Sequence, residues 1–103
     1  MDRSDIGLVI PAYNEAATIK EVVVAAADYG TPIVVNDCSS DDTAALAEEA
    51  GAVVVTHKTN RGYDGALNSG FIKADELGCQ YIVTLDADGQ HNPKLIPRFI
   101  ENL

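Results

Sequence analysis

Four short apolar runs rich in β-branched residues alternate with stretches of helical periodicity, and this alternation limits the fold more than any other feature of the chain. The runs are IGLVI at 6–10, PIVVN at 32–36, AVVVT at 52–56 and QYIVTL at 80–85. Each is bounded by turn residues, the pattern of a buried strand. Between the first two, Ile19, Val22, Val23 and Ala26 fall on one face of a helix predicted over 15–28, with Asn14 as its N-cap. Ser39, Ser40, Asp41 and Asp42 open a second helix, where hydroxyls can cap free N–H groups and acids suit the positive end; Gly51 closes it. A third helix is predicted over 64–77. A fourth begins near Asn92, with Pro93 in its first turn and Leu95, Ile96, Phe99, Ile100 and Leu103 on its apolar face. Pro97, one turn in, predicts a frayed or kinked start. The class is α/β: a Rossmann-like parallel sheet of about four strands with helices on both faces. The 103 residues are enough for one compact domain and too few for two, so 1–103 reads as a single unit.

In open sheets of this class, ligands bind outside the carboxyl ends of the strands. The polar signals of this chain gather at those ends: PAYNE after the first strand, NDCSSDDT after the second, HKTNRG after the third and DADGQH after the fourth. The last is the most informative chemically. Asp86 and Asp88 stand one residue apart at the end of an apolar strand, with no lysine or arginine beside them. Like charges so close need an offset. A hard divalent cation supplies one, because it takes carboxylate oxygens and keeps positions open for phosphate. The inference is a metal-bridged phosphate site.

The other loops carry two readings each. Pro11-Ala12-Tyr13-Asn14-Glu15 serves either as a plain strand-to-helix turn or as a nucleotide cradle, with Tyr13 offering a flat face and Glu15 an acceptor for a ribose hydroxyl. Asp37 either forms a turn or accepts N–H donors from a nucleobase edge. Asp41 and Asp42 read as partners of a helix dipole. Lys58 and Arg61 are the basic residues of the four loops, and either could meet a phosphate. Gly65 and Gly70 read as close helix–sheet packing, and His91 as a ligand-side donor or a simple loop residue.

Sixteen acidic against seven basic residues leave a formal net charge of −9, which argues against nucleic-acid binding. No apolar run approaches the ~18 residues of a membrane helix and no signal-peptide pattern is present, so a soluble, cytoplasmic chain is expected. Cys38 and Cys79 form no CxxC pair and read as two free buried thiols; neither shares zinc-ligand spacing with His57 or His91.

Taken together, IPAYNE, VVNDCSSDDT, NRGYDGALNSG and LDADGQH, in this order and spacing, resemble the family 2 glycosyltransferases, in particular the dolichol-phosphate mannose synthase-like branch. The resemblance covers essentially the whole chain. It implies the N-terminal half of a GT-A fold, which binds a nucleotide-diphosphate sugar of the GDP-mannose or UDP-glucose type for transfer to an acceptor such as polyprenyl phosphate. Carried over, Pro11, Ala12, Tyr13 and Glu15 line the nucleotide, Asp37 contacts the base, Arg61 belongs to the nucleotide-sugar site, and Asp86 lies near ribose and metal. Asp86, Asp88 and Gln90 hold Mg²⁺ or Mn²⁺. Two departures stand out: the family often has DDG where this chain has Asn36-Asp37-Cys38. Asn36 weakens any role needing charge, and Cys38 in place of glycine calls for an ordinary backbone conformation.

The resemblance also implies an acceptor-binding half, with the general base, that these residues do not include; no catalytic residue is assigned. The expectation is therefore donor binding without transfer by this chain alone, self-association into a homo-oligomer along an exposed sheet edge, and peripheral membrane association only for a full-length form. The alternative is a non-catalytic nucleotide-binding or assembly module. A haloacid-dehalogenase-type phosphatase fits poorly, since Gln90 replaces a threonine and thirteen residues follow it. A receiver-like domain would need an acidic pair after the first strand and a lysine after a fifth; PAYNE and the missing fifth strand disfavour it.

Overall fold

The computed structural model describes residues 5–87. Its elements run β1 (Ile6–Ala12), α1 (Ile19–Ala27), β2 (Thr31–Asn36), α2 (Thr43–Glu49), β3 (Val53–Thr56), α3 (Gly62–Glu76) and β4 (Tyr81–Thr84). The helix expected from Asn92, together with Asp88, Gln90 and His91, lies outside the described residues.

The strands form one parallel sheet in the order β3-β2-β1-β4. Side chains alternate across it, as the period-two pleat requires. Leu8, Ile10, Val34 and Val83 pack with Ile19, Val22, Val23 and Ala26 of α1 and Ala47 of α2. Val9, Ile33, Val35 and Ile82 face the other way, onto Ala66 and Ala74 of α3. The predicted two-sided α/β sheet is therefore observed. Its strand order has a mechanical consequence. The chain steps outward from β1 to β3 under α1 and α2, then returns over the opposite face through α3 and places β4 on the other side of β1. The reversal between β1 and β4 leaves a crevice at their carboxyl ends.

Three details differ from expectation. Pro11 does not end β1; it pairs with Val35, and the strand runs on to Ala12. Asn14 is not the N-cap of α1. It takes a φ of +53°, a left-handed conformation that asparagine tolerates, and the helix starts at Ile19 after a turn closed by Thr18 and Ile19 N–H groups on the Glu15 carbonyl. Gly70 does seat α3 on the sheet, but a Cβ on Gly65 would meet Arg61 Cβ at 2.6 Å, within its own helix turn rather than against a strand.

Candidate functional site

The four loops converge on a cavity of about 350 Å³ lined by Pro11, Ala12, Tyr13, Glu15, Asp37, Asn60, Gly62, Tyr63, Ala66, Asp86 and Ala87. It sits at the β1/β4 switch point. Six of the seven residues expected to bind nucleotide line it. Arg61 does not; its neighbours Asn60 and Gly62 do.

The first loop owes its shape to the second. Asn14 N–H donates to Ser39 Oγ at 2.9 Å, Glu15 N–H to Thr43 Oγ1 at 3.0 Å and Ala16 N–H to Asp41 Oδ2 at 3.2 Å. In return Asn14 Oδ1 accepts from the N–H of Ser40 at 2.8 Å and from its hydroxyl at 3.2 Å. The hydroxyls and acid read as caps for α2 thus mainly serve the PAYNE segment. Asp41 does keep a capping role, because its Oδ1 accepts from Thr43 N–H at 3.0 Å and from the Thr43 hydroxyl. The Thr43 hydroxyl, helped by the Thr43 and Ala16 amides, holds the Asp41 carboxyl below its ordinary range.

Asn36 needs no charge for what it does: its Oδ1 accepts from Ser39 N–H at 3.1 Å. Cys38 contradicts its expectation. Its φ is +65°, so a side chain occupies the left-handed position that the family's glycine would suit, with Sγ 3.5 Å from the Lys58 carbonyl oxygen. Both cysteines are free, but Cys38 is only half-buried. Cys79 is buried, and burial, with Asp5 nearby, pushes its thiol up.

Asp37 is the hub of the site, at 4% exposure. Oδ1 accepts from His57 Nδ1 at 2.7 Å and Arg61 N–H at 2.8 Å; Oδ2 accepts from Gly62 N–H at 2.9 Å. Burial alone would push this carboxyl up. The Arg61 amide, the His57 ring and the Gly62 amide together outweigh it and hold the group below its ordinary range. His57 in turn sets Nε2 2.7 Å from Ser69 Oγ. The order Asp–His–Ser is that of a hydrolytic triad, but Ser69 lies inside α3, where main-chain N–H groups are committed to the helix and cannot form an oxyanion hole.

His57 and Ser69 escaped the sequence reading, although one signal was present. Asn36 and Thr56 end adjacent parallel strands in register, so the next residues, Asp37 and His57, must leave the sheet side by side. Thr18, Asn60 and Tyr63 were also missed. The Thr18 hydroxyl donates to the Ala87 carbonyl at 2.6 Å, tying the start of α1 to the DAD segment.

Asp86 contrasts with Asp37. It is exposed at the cavity, with no hydrogen bond or ion pair among the described residues. A carboxylate with open acceptor sites there fits one ligand position of a hard cation. Among the described residues no three acidic, histidine or cysteine side chains converge on such an ion; the other expected ligands, Asp88 and Gln90, lie outside them.

A parallel α/β sheet with its pocket at the switch point, lined by a strand-end aspartate from each side of β1, is the architecture of the N-terminal half of a GT-A glycosyltransferase fold. The sequence profile of Glycosyl transferase family 2 matches residues 8–103, and the chain belongs to that family. It is 36% identical to the UDP-N-acetylglucosamine–dolichyl-phosphate N-acetylglucosaminyltransferase of Methanococcus voltae, over 93% of this chain and 46% of that protein. It is 35% identical to the undecaprenyl-phosphate mannosyltransferase of Micrococcus luteus, over 90% of this chain and 42% of that protein. The mannosyltransferase PcManGT of Pyrobaculum calidifontis, solved with GDP-Man and Mn²⁺, superposes with a TM-score of 0.72 at 26% identity, covering 84% of this chain and 28% of that one. The chain thus spans less than half the length of these curated relatives. Among the described residues no helix is long and apolar enough to cross a membrane.

Proposed function

We propose that this chain is the donor-binding part of a family 2 glycosyltransferase, which takes a nucleotide-diphosphate sugar together with Mg²⁺ or Mn²⁺ for transfer to a polyprenyl-phosphate acceptor. The observation that carries the reading is the convergence of Pro11, Ala12, Tyr13, Glu15, Asp37 and Asp86, from three separate strand ends, on one cavity. In this reading Tyr13, which is half exposed, gives the base a flat face, and Asp37 accepts from the base edge. Glu15 takes a ribose hydroxyl, and Arg61 approaches the phosphates. Asp86, with Asp88 and Gln90, holds the metal. When bound, that ion supplies Lewis-acid stabilisation of the charge developing on the departing nucleoside diphosphate. The chain's own task is to fix base and ribose so that the diphosphate lies beside Asp86.

Support for the donor and acceptor classes comes from the relatives, and they differ in base: one is named for a UDP sugar and another was solved with GDP-Man. The test is calorimetric titration of GDP and UDP, with and without Mn²⁺, on the wild-type chain, Asp86→Ala and Asp88→Ala. Metal-dependent binding that either substitution abolishes is the expected result. Binding indifferent to metal and to both substitutions would overturn the metal assignment; no binding by the wild type would overturn the donor-binding reading.

A further inference from the structure

We infer that His57 and Ser69 form a positioning relay that locks the Asp37 carboxylate and so sets which nucleobases the cavity accepts. The inference rests on the donor-binding reading above and identifies the device within that site that determines specificity.

The hydrogen bonds around Asp37 leave it little freedom. An ionised carboxylate offers about four acceptor positions. His57 and Arg61 take two on Oδ1, and Gly62 takes one on Oδ2. Among the described residues one position remains, on Oδ2 of a residue that lines the cavity. Because the carboxylate only accepts, Nδ1 of His57 carries the proton of that contact. In the neutral ring Nε2 then accepts from the Ser69 hydroxyl. Both ring nitrogens are thus held, one from β2 and one from α3, in a ring only 5% exposed. Ser69 is placed firmly in its turn, since it precedes Gly70, where α3 touches Val9 and Val35 of the sheet.

A locked acceptor discriminates where a mobile one would not. Uracil N3–H and guanine N1–H present a donor on the ring edge. Cytosine N3 and adenine N1 present lone pairs at the equivalent point, which the carboxylate repels. Both of those bases also carry an exocyclic amino group beside the ring nitrogen. A carboxylate free to turn could follow that amino group and accept from it. With Oδ1 fixed by His57 and the ring fixed by Ser69, Asp37 cannot re-aim. Neither His57 nor Ser69 lines the cavity, so each acts through Asp37.

The experiment measures Kd by calorimetry for UDP, GDP, CDP and ADP in Mn²⁺ on wild type, Ser69→Ala, Ser69→Thr, His57→Asn and His57→Gln. His57→Asn keeps an amide donor near the position of Nδ1 and loses the link to Ser69. His57→Gln keeps a polar atom near Nε2 and loses the bond to Asp37. The wild type is expected to prefer UDP or GDP over CDP and ADP. Ser69→Ala and both His57 variants are expected to narrow that ratio by about tenfold, the scale of one hydrogen bond to a charged group. Ser69→Thr, which keeps the hydroxyl, is expected to restore it. A purely structural role would weaken all four nucleotides in proportion and leave the ratio unchanged, and that result overturns the relay. So does a wild type that binds without discrimination. Discrimination that survives in Ser69→Ala, the mildest of the changes, removes the relay but leaves donor binding intact; absence of any binding by the wild type removes both.

Discussion

Gly70→Ala puts two opposing effects in competition. In a helix interior, alanine is favoured over glycine by about 1 kcal/mol, so propensity alone predicts a more stable protein. The packing predicts the reverse. A Cβ at position 70 would overlap Val9 Cγ1 and stand 3.1 Å from Val9 Cγ2 and 3.3 Å from Val35 Cγ2. Both valines are fully buried on the two central strands. They are β-branched, with little rotamer freedom to yield. Overpacking of this kind costs about 1–3 kcal/mol, and a direct overlap with a stiff neighbour belongs at the upper end. Setting about 3 against about 1 leaves a net loss of about 2 kcal/mol, or roughly 10 °C in Tm for a domain of this size. Urea unfolding followed by circular dichroism measures it. The paired variant locates the cause. Val9→Ala alone should lose about 2 kcal/mol by leaving a cavity. Combined with Gly70→Ala, whose methyl fills part of that space, the loss should be about 1–2 kcal/mol rather than the sum of about 4. A Gly70→Ala protein as stable as wild type, or additive losses in the double variant, would refute so close a seating of α3.

The left-handed Cys38 predicts that Cys38→Gly is more stable than Cys38→Ala by about 0.5–1 kcal/mol, since alanine keeps the strain and glycine relieves it at some cost in unfolded-state entropy; paired urea melts measure the difference. Asp37 and Asp41 both have carboxyls lowered in the folded state, so their contribution to stability is complete above the unfolded value of about 4 and is lost as pH falls through the folded values. Urea midpoints should therefore drop as pH falls below about 4, and less steeply in Asp37→Asn, which has already lost one of the two groups. Thr18→Val removes the donor to the Ala87 carbonyl, and should cost about 1 kcal/mol in urea and weaken Mn²⁺-dependent nucleotide binding by loosening the segment that carries Asp86.

Strands and helix faces were readable because they follow from periodicity, a property of near neighbours in the chain. The two-sided core needs only the alternation of Leu8, Val9 and Ile10 and the helical spacing of Ile19, Val22, Val23 and Ala26. The local capping signals gave way to longer-range contacts. Ser39 and Asp41 look like caps of the helix they precede, and Thr43 is its first residue; a capping rule considers only a few residues ahead. In the folded chain Ser39 and Asp41 are 25 residues from the N–H groups they accept, and Thr43 is 28. Asn14 has an acceptable cap chemistry, but a left-handed backbone and two donors from Ser40 hold it elsewhere. Residues that open a helix in isolation are thus recruited by the neighbouring loop, and no pattern within one segment reports that.

The same distinction separates the two aspartates that the sequence placed at strand ends. Asp37 and Asp86 look alike in the chain, each following an apolar run. Their chemistry is decided by what adjoins them across the sheet. Asp37 lies next to β3, whose in-register continuation delivers His57 and then the main-chain N–H groups of Arg61 and Gly62. Its charge is therefore balanced from within, and it is suited to orient a neutral hydrogen-bonding partner. Asp86 leaves β4, which among the described residues pairs with β1 alone, and β1 ends in Pro11 and Ala12, neither of which offers a charged or acidic-pairing side chain. Among the described residues its charge has no partner. In a chain of net charge −9, such an exposed carboxylate stands where a cation is electrostatically favoured over an anion. The sheet order β3-β2-β1-β4 thus separates the two: Asp37, at the end of β2 between β3 and β1, is held by its neighbours, and Asp86, at the end of β4 beyond β1, stays exposed at the cavity with no partner among the described residues.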